Sequence, residues 1–277
     1  NQARICATEF YGKFIDVLWT FFIGQAPGCL INPCPVQGGN RAHRMSWPSM
    51  AAALGVPLFC ALVYVVWLPH GNAGRSAWFA TKAWVLIYPL FFFGLIGLGG
   101  LIRREDRSER WPSWKTVILT GFLSGLGIAL VGWLMVLTPV GDIVKANSDN
   151  LVEKVRGLGF ATKGRFLMVA AFITLLHSAM EEYYWRWFVY GHLRQMVGYW
   201  PGHLLAAVAF TGHHLVLMSV LFPLPLALFL SFLVGLGGLI WSFMYQRQGT
   251  VVGCWISHLI VDAFLMIVGY NLIWPGG

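Results

Sequence analysis

The chain of 277 residues is 57% hydrophobic and only 11% charged, against about 25% charged in a soluble domain, so the bilayer is the solvent in which it must be read. Its net charge of +8 has no soluble region large enough to gather a basic face, which excludes nucleic acid as a partner; in a membrane protein such an excess marks cytoplasmic loops. Five cysteines, Cys6, Cys29, Cys34, Cys60 and Cys254, include no CxxC pair and read as unpaired structural residues.

In chain order, residues 1–49 read as an N-terminal extension. The segment GQAPGCLINPCPVQGGN is rich in turn-formers and has no helical period. The apolar stretch VLWTFFIG follows Lys13 and Asp16 without a tidy cleavage site, so it does not read as a signal peptide. A membrane helix needs about 20 mostly apolar residues. The runs 50–69, 78–102, 116–139, 166–190, 201–221, 223–245 and 250–273 meet that need, with 10–26 a weaker eighth. The fold class expected is all-α, a polytopic transmembrane bundle of about seven to eight helices.

The breaks between the runs have turn chemistry. LPHGNAG (68–74), YWPG (199–202) and LFPLPL (221–226) are reversals, and RREDRSERWPSWK (103–115) is a charged loop. Three regions follow: N-terminal transmembrane helices over 50–139, a linker over 140–165 and a helical core over 166–273. The linker pattern IVKANSDNLVEKVRGLGF suits an amphipathic helix on the membrane surface. Arg103, Arg104, Arg107, Arg110, Lys115, Arg194 and Arg247 fall on one side if the helices alternate, and that side is cytoplasmic by the positive-inside rule. An integral protein of a prokaryotic cytoplasmic membrane is the expectation.

Polar residues inside the apolar runs carry the chemistry. The run FLMVAAFITLLHSAMEEYYWRWFVY holds Glu181, Glu182 and Arg186, although a charge at mid-bilayer costs about 2.5–3.5 kcal/mol on insertion scales. Adjacent carboxylates repel, so they do not easily both ionise without partners. Arg186 lies four residues after Glu182, on the same helical face, and can neutralise it. Glu181 faces elsewhere, with His177 four residues before it. FTGHH (210–214) puts Phe210 and His214 on one face, and SHLIVD (257–262) does the same for His258 and Asp262.

At 1.5 Å per residue, Glu181 and His258 lie roughly 13 and 12 Å from the cytoplasmic helix ends and His214 roughly 20 Å. Three helices of alternating direction thus bring these groups to a similar level. Glutamate with histidine can position and deprotonate a water, and a second histidine can donate to a developing oxyanion. The same residues could instead ligate zinc, although no HExxH occurs.

EEYYWR (181–186) matches E-E-x-x-x-R, FTGHH matches F-x-x-x-H, and HLIVD (258–262) matches H-x-x-x-D/N. Over roughly residues 160–273 the chain therefore resembles the CPBP group of intramembrane proteases, which includes the type II CAAX prenyl endopeptidases and bacteriocin-processing or self-immunity proteins. The resemblance implies that 166–273 is a catalytic helical core with an intramembrane active-site cavity. It implies that Glu181 is the general base, that His214 helps hold the attacking water, and that His258 with residue 262 stabilises the oxyanion. Glu182 and Arg186 would support the site and Phe210 would shape it.

Eukaryotic-type members usually have Asn where this chain has Asp262. An ionised Asp accepts hydrogen bonds and cannot donate one, so Asp262 is expected to orient His258 instead. His213 is given no role. The expected mechanism is glutamate-type and without a cofactor, with zinc on Glu181, His214 and His258 as the alternative. The expected partners are the lipid bilayer and a membrane-associated peptide or protein substrate, lipidated or not. The rival readings are a non-catalytic immunity or scaffold protein of the same group and a proton-coupled transporter. The transporter lacks the matching broken helices in two halves that it would need.

Overall fold

The computed structural model describes residues 45–68, 71–96, 112–157 and 162–275. Among them there are helices and no strand, as a bilayer-embedded chain requires when each backbone polar group must be satisfied within its own segment. The helices are α1 (Trp47–Trp67), α2 (Gly71–Ile96), α3 (Trp114–Val136), α4 (Pro139–Ala146), α5 (Asp149–Gly157), α6 (Lys163–Val197), α7 (Tyr199–Leu221), α8 (Leu224–Gln248) and α9 (Val252–Ile273). The chain is thus an all-α polytopic bundle.

Six of the described helices, α1, α3, α6, α7, α8 and α9, are long and apolar enough to cross a membrane, against the seven or eight expected. The expected run 78–102 corresponds to α2, which starts earlier, at Gly71, and is described to Ile96. The candidate helix 10–26 and residues Cys6, Cys29 and Cys34 lie outside the described residues. Cys60 and Cys254 are unpaired.

Local chemistry sets the ends. Ser46, Ser113 and Thr162 each cap a helix start by accepting a backbone N–H, from Ser49, Thr116 and Arg165 respectively. α6 stops at Gly198, where φ is +89°, and α8 stops at Gly249, where φ is +68°. Both lie in backbone space that glycine enters without the Cβ penalty. The break after α6 is therefore Gly198 itself. The stretch YWPG, expected as the turn, is the first turn of α7, where a proline is tolerated because its missing N–H would have had no partner. The stretch 140–165, expected as one surface helix, forms two short ones, α4 and α5, broken at Asn147 and Ser148.

α6 is the centre of the bundle. It contacts α1, α2, α7, α8 and α9, and every residue from 181 to 193 is buried. A helix enclosed on all sides cannot show an amphipathic stripe. α6 also departs from regular α geometry in two π segments, Ile173–His177 and Glu182–Tyr190, on either side of Glu181. Such i→i+5 turns re-aim side chains and recur at functional sites. Around this centre, α7 pairs with α8 and α3 with α9. The α3–α9 pair packs backbone against backbone: a Cβ placed on Gly125 would sit 2.8 Å from the Ser257 carbonyl oxygen. Small residues allow such close approach in membranes. The opposite face of α3 presents Leu119, Leu123, Leu126, Leu130 and Trp133 outward, a surface suited to acyl chains.

Candidate active site

The polar residues of the apolar helices converge on α6. Glu182 is fully buried and Arg186 is 1% exposed. The Arg186 Nε lies 3.1 Å from Glu182 Oε2, which is the i,i+4 pair read from the sequence. The guanidinium also lies over the ring of Phe210, 4.3 Å from its centroid, and 5.0 Å from the centroid of Trp241. Phe210 on α7 therefore grips the cation of the ion pair. This contact explains an aromatic residue at that position better than a general pocket-shaping role.

The other oxygen of Glu182 holds the site's histidine. His258 Nδ1 lies 2.7 Å from Glu182 Oε1, so Nδ1–H donates to that carboxylate. Trp241 stacks on the imidazole at 4.1 Å between centroids and donates its indole N–H to Ser257 Oγ at 2.9 Å. The Nε2 side of His258 faces Asp262 Oδ1 at 3.6 Å and Glu181 Oε2 at 3.8 Å. The shortest polar contact on the ring thus comes from Glu182, and Asp262 lies on the reactive side. Asp262, expected to orient His258, lies beside its Nε2, and the second glutamate holds Nδ1 because the fold of α6 aims Glu182 at α9.

Glu181 is 7% exposed and, among the described residues, has no arginine within ion-pair distance. Its Oε1 is met by His213 Nε2 at 3.4 Å and by His177 Nε2 at 3.5 Å. His213 is also stacked on Trp185, with ring planes 3° apart and centroids 5.2 Å apart. His214 donates Nδ1–H to the Phe210 carbonyl at 2.9 Å. That bond leaves the lone pair of its Nε2 available, fixing the tautomer by backbone contact. Ligand atoms of Glu181, His213 and His214 all lie within 4.8 Å of one another. A zinc ion would accordingly find its donors on Glu181, His213 and His214, with His213 in the place expected for His258.

The structure therefore brings together Glu181, His214, His258 and Asp262, with Glu182, Arg186 and Phe210 behind them. It adds His213, His177 and, from α2, Lys82, whose Nζ lies 3.2 Å from His177 Nδ1. A lone lysine within the run FATKAWVLIY was the available signal for the last of these, since an ionisable residue at membrane depth is rarely idle. A cavity of about 30 Å³ lies against these groups, lined among others by Tyr64, Lys82, His177, Glu181 and His213.

The helical bundle thus holds a buried carboxylate, enclosed by imidazoles from two other helices and facing a water-sized cavity. Residues 163–264 match the family described as type II CAAX prenyl endopeptidase Rce1-like. The match spans α6 to α9 and contains all three sequence motifs. Neither the curated proteins nor the solved structures returned a match to the chain.

Proposed function

We propose that the protein is an intramembrane glutamate-type endopeptidase that hydrolyses a peptide bond in a membrane-associated peptide or protein, with Glu181 as the general base. The observation that carries this reading is the convergence of His213, His214 and His258 on Glu181, with a cavity that has room for roughly two waters against Glu181 and His213.

In this reading a water lies between Glu181 Oε2 and the free Nε2 of His214. Glu181 removes its proton as the oxygen attacks the scissile carbonyl carbon, and the same proton is then delivered to the leaving amine nitrogen. His258 is the oxyanion donor. It donates as the imidazolium, in which both nitrogens carry a proton: Nδ1–H is engaged by Glu182 and Nε2–H is aimed into the site. Asp262 is placed to accept from that Nε2–H until the oxyanion replaces it. Arg186, held by Phe210 and Trp241, fixes the position of Glu182 from behind.

Glu181, His213 and His214 also fit a zinc ion in donor type and number, with one position left for water. The His214 Nδ1–H on a backbone carbonyl is the usual support of a metal-bound imidazole. Zinc, when bound, would supply a Lewis acid for the water.

The substrate reaches the site from the bilayer, and the arginine-rich loops lie on the cytoplasmic side of a prokaryotic cytoplasmic membrane. The test is cleavage of membrane-anchored peptides, with and without a prenyl group, by purified wild type, Glu181→Gln and His214→Ala, each with and without a zinc chelator. The reading expects cleavage by the wild type alone, indifferent to the chelator. Cleavage by Glu181→Gln would overturn it, and loss with chelator would transfer the water to zinc. Three folded but silent proteins would favour a non-catalytic member of the family.

A further inference from the structure

The Rce1-like match begins at residue 163, yet the site receives a cation from α2. Lys82 Nζ lies 3.2 Å from His177 Nδ1, and the opposite nitrogen of that ring, Nε2, lies 3.5 Å from Glu181 Oε1. The connection therefore runs from α2 through α6 to the general base. Among the described residues, no carboxylate lies within ion-pair distance of Nζ. The ammonium is 5.5 Å from the centroid of Trp78 and borders the cavity. A half-buried lysine without a carboxylate partner needs a stronger reason than packing.

The chemistry of donors gives the reason. An ammonium group has hydrogens to donate and no lone pair to accept with. His177 Nδ1 must therefore be the acceptor, which leaves the proton of the neutral imidazole on Nε2, 3.5 Å from Glu181 Oε1. His213 Nε2 approaches the same oxygen at 3.4 Å. Oε1 thus accepts from His213 and has the His177 ring edge beside it, while Oε2 faces His258.

We infer that Lys82 and His177 form a positioning pair that selects which oxygen of Glu181 acts as the base. The pair ties up Oε1 and presents Oε2 to the water. It rests on the proposed hydrolytic role of Glu181 for its kinetic consequence, but the proton arrangement on His177 does not depend on that role. The N-terminal helices, which carry none of the three motifs, thereby supply part of the active site.

The test has two arms, both on the full-length protein in lipid bilayers. The first uses nitrogen-15 labelled histidine and solid-state NMR to read the tautomer of His177, assigned by its loss in His177→Gln. The wild type and Lys82→Arg should show Nε2 protonated and Nδ1 bare. Lys82→Met should lose that preference. The second arm measures turnover of the cleaved peptide. Lys82→Met should lower kcat on the order of tenfold to a hundredfold with KM nearly unchanged, because a displaced base harms the reaction more than binding. Lys82→Arg should restore most of it, and Lys82→Gln, which keeps a donor without the charge, serves if the methionine variant does not fold. A wild-type His177 protonated at Nδ1, or an unchanged kcat in folded Lys82→Met or Lys82→Gln, would overturn the inference. If the wild type cleaves nothing, the hydrolytic reading fails and the tautomer arm alone decides the pair.

Discussion

Arg186→Met tests the internal architecture of the site without touching the groups assigned to chemistry. Methionine replaces the cation with an apolar chain of similar length. It leaves Glu182, which is fully buried, with no partner for Oε2, whose ion-pair contact is the Arg186 Nε at 3.1 Å. Removing one member of a buried pair costs about 3–5 kcal/mol, because the other charge stays behind without compensation. The stacking on Phe210 and Trp241 is lost as well, worth about 0.5–2 kcal/mol for a desolvated cation–π contact. Glu182 keeps its bond to His258, which holds the total toward the lower end, about 3–5 kcal/mol in all. Unfolding by a denaturing detergent titrated into mixed micelles would measure it. The double variant Glu182→Gln with Arg186→Met leaves no orphan charge. It should be less damaging than the sum of its parts by about 1–3 kcal/mol. A single variant within about 1 kcal/mol of wild type would refute the idea that this ion pair holds the core of α6.

Three further outcomes are expected. Gly125→Ala should destabilise by about 1–3 kcal/mol, since its Cβ meets Ser257 O at 2.8 Å, whereas Gly127→Ala, with nothing within 4 Å of the added carbon, should be neutral in the same thermal scan. Asp262→Asn should retain cleavage within about tenfold, because an amide can donate to the oxyanion where a carboxylate cannot; Asp262→Leu should lose more, and equal losses in both would argue against a polar role. Trp241→Phe removes the indole N–H bonded to Ser257 but keeps an aromatic ring near His258. It should cost about 1 kcal/mol in stability, with peptide turnover reduced only a few-fold.

Much of the site was legible because its pairs are local. Glu182 with Arg186, and His258 with Asp262, are separated by four residues, and helical spacing places such residues on one face. His258 reaching Glu182 across 76 residues was legible only as a shared depth. Three features escaped. His213 passed as a duplicate of His214, yet it turns toward Glu181 while its neighbour bonds the Phe210 carbonyl. Lys82 lies 95 residues before its partner, and no periodicity links positions so far apart. The π segments of α6 escaped because an i→i+5 turn is set by how the helix packs and has no residue signature of its own. The end of α6 was missed for a simpler reason: a glycine at φ +89° breaks a helix more sharply than the nearby proline, which suits a first turn.

The size of the cavity has a kinetic consequence. At about 30 Å³ it holds water but no peptide, for which pockets of roughly 300–1,000 Å³ are usual. The proposed peptide cleavage would therefore require a parting of the helices that supply its walls, with Pro57 and Tyr64 on α1 and Lys82 on α2 withdrawing from His177 and Glu181 on α6. That movement displaces acyl chains, so the bilayer itself enters the rate law. Stiffer, more ordered lipids should slow the reaction while leaving the cleavage position unchanged, and the physical state of the membrane would set how fast this protein works.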